Sequence, residues 1–320
     1  MHVMIVGAAG MLGRKLALHL AQEGAVERLD LVDVVRPEGV AGAAEALVAD
    51  IAAPGEAERL VARRPDLIFH LAAVVSGEAE ADFEKGYRIN LDGTRRLLEA
   101  VRREGERAPY RPRLVYASSI AVFGTPFPKR IGDTFFSTPR TSYGTQKAIG
   151  ELLLADYARR GFLDGIGLRL PTVCIRPGTP NRAASGFFSN ILREPLAGRE
   201  AVLPVDEGVR HWHASPRAAV GFLVHAATLD LRLLEGRPNL TMPGLSATVA
   251  EQIAALRRVA GEGAVRLIRR EPDPVIAAIV AGWPERFDAA RAGRLGFKAD
   301  ASFDAIIEAH VEDELGGCLP

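Results

Sequence analysis

The 320 residues carry 40 basic and 40 acidic side chains, so the formal net charge is zero, and only five of the basic residues are lysines. No basic block suited to a nucleic-acid backbone occurs, and the longest apolar runs, such as I-A-A-I-V-A-G at 276–282, are far too short to span a bilayer. Hydrophobic residues, at 48 %, supply enough apolar surface for a substantial core and for division into two domains.

The chain opens M-H-V-M-I-V-G-A-A-G, which reads as a short apolar strand, Val3–Val6, entering a glycine turn, and not as a secretion leader. Cys174 and Cys318 are widely separated and suggest neither a disulfide framework nor a zinc site, so no metal is expected and a cytoplasmic location is. Glycines at 7, 10 and 13 follow the strand, and a helical pattern then runs through Leu20. In this arrangement Gly7 allows the tight turn, Gly10 lets the backbone approach a pyrophosphate, and Gly13 permits close helix packing, with the helix N-terminus facing the phosphate charge.

A second strand, Leu29–Val34, contains Asp33, which lies 20 residues beyond Gly13. A carboxylate there accepts the ribose hydroxyls of NAD and repels the additional phosphate of NADP, although Arg36 nearby argues the other way. Asp33 as a mere strand-end cap is the plainer alternative. Asp50 and Ile51 follow a short helical run and are placed to meet an adenine ring, or else to cap a loop and fill the core. A helix around Ala57–Val61 precedes a third strand, Leu67–Leu71, and Ala72 and Ala73 after it leave room for a dinucleotide over the sheet edge. His70 lies inside that strand and reads as a packed histidine.

Helical periodicity covers Phe83–Val101, and R-L-V-Y-A-S-S at 113–119 reads as a fourth strand ending in hydroxyls. In T-S-Y-G-T-Q-K, Tyr143 and Lys147 are four residues apart at the start of a helix, hence on one face of it. A fifth strand, G-I-G-L-R-L-P, ends at Pro171. Strands alternating with helices predict an α/β fold of the Rossmann type, a doubly wound parallel sheet spanning 1–171 with a probable return segment at 205–230. The remainder, 172–320, is expected to form mainly a smaller substrate-binding domain. Two hydroxyls at the sheet edge, a phenol and an ammonium then meet beside the cofactor: the lysine charge favours the phenolate, and a serine hydroxyl holds the substrate oxygen.

These motifs resemble the extended short-chain dehydrogenase/reductases, the NAD-dependent epimerase/dehydratase family. The resemblance rests on G-A-A-G-M-L-G, D-I at 50–51, H-L-A-A, N-L-D-G-T at 90–94, S-S-I-A-V-F-G and Y-G-T-Q-K. It implies Ser119, Tyr143 and Lys147 as the catalytic set. Asn90 matches an asparagine that supports the fourth-strand backbone, and Pro171–Val173 match a segment facing the carboxamide side of the nicotinamide. The expected NAD contacts are therefore Gly7, Gly10, Met11, Leu12, Gly13, Asp33, Asp50, Ile51, Leu71, Ala72, Ala73, Asn90, Tyr143, Lys147, Pro171 and Val173.

Within the family the chain is similar to members that oxidise the C2 hydroxyl of a four-carbon sugar acid. The stretches carrying this are A-A-V-V-S-G-E-A-E, R-P-G-T-P-N-R-A-A-S-G-F-F, V-R-H-W-H-A-S-P-R and the tail S-F-D-A-I-I-E-A-H-V-E-D-E-L-G-G. Nucleotide-sugar members carry an aspartate after the strand holding Arg210, and it is replaced here; a nucleotide-sugar 4-epimerase or dehydratase is the alternative. A small acid needs a cation for its carboxylate. Arg210 is the first expectation and Arg182 its rival, with Asn181 and Ser185 placed to bind hydroxyls from the same loop, and Ser76, in the turn after the third strand, overlooking the nicotinamide beside Ser119 and Tyr143. His211 and His213 alternate around Trp212, so that one is expected to face inward while the other packs. The resemblance also implies a homodimer through the Phe83–Val101 and Tyr143 helices, whose apolar stripes are expected on opposite sides of the catalytic strand, with Leu97 and Leu98 complementing Leu152, Leu153 and Leu154.

Overall fold

The computed structural model describes residues 1–24, 26–38, 44–178 and 185–319. The chain divides into two compact units that interleave in sequence. The first comprises Met1–Val122, Pro139–Arg169 and Val220–Leu240; the second comprises Phe123–Thr138, Leu170–Ala219 and the residues from Thr241 on.

The first unit is built on a seven-stranded sheet. Its strands run, edge to edge, Asn239–Thr241, Asp164–Leu170, Arg113–Ser119, Leu67–His70, His2–Val6, Arg28–Asp33 and Ala44–Val48. From Arg113–Ser119 to Ala44–Val48 the pairing is parallel, with Val6 opposite both Val32 and His70, and His70 opposite Tyr116. This is the Rossmann-like sheet expected from the alternation of strands and helices.

The chain order reverses on either side of His2–Val6, because Arg28–Asp33 lies on one flank and Leu67–His70 on the other. In an open parallel sheet such a reversal opens a crevice at the carboxyl ends of the strands. Val6, Asp33, His70 and Ser119 all end on that edge, so the glycine turn, the acidic residue and the serine share it.

Two strands of this sheet, Ala44–Val48 and Asn239–Thr241, went unread in the sequence. Residues Ala44–Val48 pair with Leu29–Asp33, so Asp50 and Ile51 follow a strand and not a helical run. The composition A-E-A-L-V favours a helix locally, and only pairing with the neighbouring strand makes it extended. The core under the sheet joins Met4, Val6, Val32, Ile68, Leu114 and Tyr116 to Leu60, Leu97, Leu98, Val101 and Leu154 from three helices. Each large aliphatic side chain buried there contributes roughly 2 kcal/mol. Leu97 and Leu98 are consumed by this core and offer no surface to a second copy. Nor do the two helices stand apart: Thr94–Arg107 and Ser142–Arg159 pack on each other, with Tyr157 Oη donating to Glu99 at 3.1 Å.

In the second unit, the helices Gly186–Leu196, Val249–Arg266 and Phe303–Leu315 enclose a core that includes Phe188, Ile191, Leu192, Ile253, Leu256, Ile306 and Ile307. Strand Arg210–Ala214 pairs antiparallel with Leu245–Thr248 and parallel with Thr172–Val173. Among the described residues, no helix is long and apolar enough to cross a membrane.

Candidate active site

The glycine turn has the shape a dinucleotide requires. Gly7 adopts φ +97°, a conformation that side chains disfavour, and a Cβ there would lie 2.5 Å from the Ala72 nitrogen. A Cβ on Gly13 would collide with the Gly7 carbonyl oxygen and lie 2.7 Å from Ala8 Cα. The turn is therefore pressed both against the helix it starts and against the segment after the Leu67–His70 strand. Helix Met11–Glu23 begins at Gly10 with no side-chain cap, so the amides of its first turn receive no side-chain acceptor there. Met11 and Leu12 are half-buried on that turn.

Asp33 sits at the strand end with Oδ2 accepting from the Ala9 amide at 2.9 Å and Oδ1 accepting from Val34 at 2.7 Å. These bonds fix the carboxylate beside the glycine turn while leaving it partly exposed. The amides of Leu71 and Ala72 both donate to the Val6 carbonyl, at 2.8 and 2.9 Å, and residues 71–73 remain half-buried along the edge.

Asp50 accepts from the Ala52 amide at 2.9 Å and from Arg88 Nη1 at 2.6 Å. Burial would raise its carboxyl, but Arg88 and the amide hold it below the ordinary carboxylate range. Ile51 is buried in the core of this unit. Asn90 bridges two elements: its Oδ1 accepts from the Val74 amide at 2.9 Å, and its Nδ2 donates to Val74 O at 3.1 Å and to Gln146 Oε1 at 2.8 Å. The backbone that it supports thus follows Leu67–His70 and is not that of Arg113–Ser119.

The helix Ser142–Arg159 starts at Thr141, whose Oγ1 accepts from the Gly144 amide at 3.1 Å. A Cβ on Gly144 would collide with the Ala121 carbonyl oxygen. The helix start therefore approaches the backbone just beyond Ser119 more closely than any other residue would allow, and Tyr143 precedes that contact directly. Ser119 Oγ accepts from the Ala121 amide at 3.1 Å, which leaves its proton available to donate.

One turn beyond Tyr143, Lys147 is 2 % exposed. Its Nζ donates to Ala117 O at 2.8 Å and lies 4.8 Å from the Tyr116 ring centroid and 5.8 Å from that of Tyr143. Burial pulls its pKa down to about 8, against the opposing field of Glu151. Tyr116 is fully buried, and burial keeps its phenol protonated far above the usual range. Tyr143 is half-exposed. His70 is 1 % exposed, bonds Thr94 Oγ1 at 2.8 Å, and is pushed down to about 3 by burial and by Lys147. It is a neutral packed side chain.

Ser76 begins the short helix Ser76–Ala81 and is half-buried. In the second unit, Pro171 and Val173 are buried, and Val173 O accepts from Arg176 Nε at 3.1 Å. Arg210 Nη1 donates to Ser246 O at 3.0 Å and pairs with Glu251 at 3.2 Å. Asn181 and Arg182 lie outside the described residues. His211 and His213 do not divide into one inward and one packed side chain. Both are buried: His211 bonds Thr172 Oγ1 at 2.7 Å and Pro284 O at 3.0 Å, and His213 Nε2 meets Gln252 Nε2 at 3.1 Å. Burial lowers His211 to about 4.

Three buried residues went unremarked in the sequence: Gln146 and Glu151 on the helix Ser142–Arg159, and Arg169 on the strand Asp164–Leu170, which pairs with Glu151. The signal was present in the helix itself: Glu151 follows Lys147 by four residues, so the two share a face.

A parallel sheet with a glycine turn at its reversal point, and a serine, tyrosine and lysine on the adjoining strand and helix, defines a dinucleotide-dependent oxidoreductase. Residues 3–220 match the NAD dependent epimerase/dehydratase family, and the chain belongs to it. It is similar to D-erythronate dehydrogenase of Cupriavidus necator, 47 % identical over 98 % of both chains, and to that of Haemophilus influenzae, 42 % identical over 98 % of this chain and all of the relative. A solved structure described as the nucleoside-diphosphate-sugar epimerase from Agrobacterium tumefaciens is 63 % identical, with TM-score 0.97 over 100 % of this chain and 96 % of that one. The protein is thus an NAD-dependent oxidoreductase of the epimerase/dehydratase family.

Proposed function

We propose that the protein oxidises the C2 hydroxyl of D-erythronate, or of a close four-carbon sugar acid, to the 2-oxo acid, with NAD as the acceptor. The observation carrying this reading is the full-length similarity to two D-erythronate dehydrogenases, supported by Lys147 Nζ lying 5.8 Å from the Tyr143 ring centroid on a helix that starts against the backbone just beyond Ser119. The Agrobacterium tumefaciens structure's description favours a second reading, a nucleotide-sugar epimerase or dehydratase. Strand Arg210–Ala214 lacks the aspartate usual after it in nucleotide-sugar members, which supports the first. Assay of four-carbon aldonic acids beside UDP- and dTDP-sugars decides: NADH is expected from D-erythronate, and turnover of nucleotide sugars alone overturns the proposal.

In this mechanism Ser119 donates to the substrate oxygen and Tyr143 removes its proton. A phenol ordinarily titrates near 10, so it needs positive charge nearby to act as a base at neutral pH. Lys147 supplies that charge, held in place by the Ala117 carbonyl. Bound NAD would supply the acceptor for the C2 hydride. The glycine turn, Met11, Leu12 and Asp33 would hold its pyrophosphate and adenosine ribose, with Asn90, Tyr143, Lys147, Pro171 and Val173 toward the nicotinamide.

The fixed Asp33 carboxylate supports NAD over NADP, because a 2′-phosphate would meet a like charge held against the turn. Fluorescence titration is expected to give at least tenfold tighter binding of NAD, since two like charges about 4 Å apart repel by about 1 kcal/mol in water and by more at a protein surface. Equal affinities would contradict the assignment.

Arg210 is our choice for the substrate carboxylate, with Ser76, Asn181 and Arg182 as further candidates. Its partner Glu251 is largely exposed, and an ion pair of this kind yields readily to another carboxylate. Arg210→Met is expected to raise KM for the acid at least tenfold, by loss of a charge-assisted bond, with NAD affinity unchanged. A wild-type KM removes Arg210 from the site. We also place the protein in the cytoplasm as a homodimer; Leu152, 71 % exposed, and the exposed Phe83 support the dimer. Sedimentation showing only monomer at micromolar concentration would exclude it.

A further inference from the structure

Behind the catalytic pair lies a buried charged cluster that the chemistry above does not use. Glu151 is 3 % exposed and stands one helical turn beyond Lys147. Its Oε1 accepts from the Ser118 hydroxyl at 2.5 Å and from Arg169 Nε at 2.9 Å, and its Oε2 accepts from Arg169 Nη2 at 2.7 Å. Its backbone carbonyl accepts from Asn239 Nδ2 at 3.2 Å. One turn of the catalytic helix is therefore tied to three neighbouring strands, which end in Ser119, Leu170 and Thr241. Burying such a pair costs desolvation that an apolar pair of similar volume avoids, so stability alone is a poor account of it.

Ser118 and Ser119 point to different tasks. The first is buried and given over to Glu151, while the second is partly exposed at the sheet edge. We propose that Glu151 is a positioning residue for the catalytic set: its carboxylate locks the strand end bearing Ser119 to the helical turn bearing Lys147, and it is the anionic counter-charge of the Lys147 ammonium. The other groups around Lys147 do not supply that charge. His70 and Tyr116 face it from two strands and are both held neutral by burial, and Tyr143 faces it from its own helix. Arg169, on the third strand, is turned onto Glu151. The field of Glu151 favours the charged lysine and opposes the effect of burial.

The test exploits the five lysines of the chain. In NAD-loaded protein grown with 13Cε-lysine, the Lys147 resonance is assigned by its loss in Lys147→Met and titrated from neutral to alkaline pH. In Glu151→Gln its midpoint is expected to fall by on the order of one pH unit, as for removal of an opposite charge one helical turn away. The kcat for NADH formation is expected to fall roughly 10- to 100-fold through misplacement of Ser119 and Tyr143. Its alkaline limb should move by the same interval as the lysine.

The turnover arm rests on the D-erythronate reading, and the titration arm does not. A wild type that makes no NADH from D-erythronate sinks that reading and leaves the titration to decide this one. Should Glu151→Gln fail to fold with the Arg169 charge left beside it, the double variant Glu151→Gln/Arg169→Met removes both charges, and a smaller downward shift is expected, because loss of the Arg169 cation acts on Lys147 in the opposite direction. A lower melting temperature with an unmoved Lys147 midpoint, in whichever variant folds, marks a purely structural pair and overturns the proposal.

Discussion

Tyr143→Phe is expected to lower kcat for NADH formation roughly 10³-fold, the middle of the range for removing a general base. The NAD dissociation constant should stay within about tenfold of wild type, because the change removes one hydrogen-bonding oxygen and no charge. The argument is local. Phenylalanine keeps the ring that lies 5.8 Å from Lys147 Nζ, so the lysine loses no neighbouring aromatic face. Tyr143 is half-exposed, so loss of its oxygen leaves no buried cavity, and the Thr141 cap and the Gly144 approach to Ala121 involve backbone that the substitution does not touch. Only proton removal from the substrate is taken away, which lowers kcat and kcat/KM together. A variant that retains kcat within tenfold of wild type, measured at saturating substrate and NAD, would show that another group is the base.

The features legible in the sequence share one property: their chemistry is fixed by local spacing. Gly7, Gly10 and Gly13 after an apolar strand, Asp33 at the end of the next, and Tyr143 one turn before Lys147 all declare themselves within about 30 residues. The features that escaped depend on which segments the fold brings together. Ala44–Val48 is extended because Leu29–Asp33 offers it a sheet edge, and alanine-rich sequence gives no local hint of this. Glu151 shares a face with Lys147 by spacing alone, but its pairing shows only when Arg169 and Ser118, 18 and 33 residues away, are seen to close on it. The packed state of both His211 and His213 follows from Phe188, whose ring stacks on one and meets the other edge-on. Alternation along a strand exposes a side chain only where one face of the sheet is left open, and this face is covered by a helix.

Lys147→Met tests the same site through stability. The lysine ordinarily titrates at 10.5, and burial pulls it to about 8 in the folded protein. Below about pH 8 both the folded and the unfolded chain carry the proton, and the folded state bears the cost of burying it. Between about 8 and 10.5 the unfolded chain retains a proton that the folded chain has released, so the contribution of this group to stability rises with pH across that window. At about 1.4 kcal/mol per unit the full rise is roughly 3 kcal/mol. Methionine has similar length, fills the space beside Tyr116, and does not titrate. In denaturant unfolding of the cofactor-free protein, the stability of wild type minus variant is therefore expected to shift in favour of wild type by that order between pH 7 and 10.5. Below about pH 8, turnover should be lost by about 10²-fold or more, because the phenol of Tyr143 no longer has its positive neighbour. A difference in stability that stays flat from pH 7 to 10.5 would mean that the buried ammonium keeps its ordinary pKa, and that the cost of its burial is met elsewhere in the site.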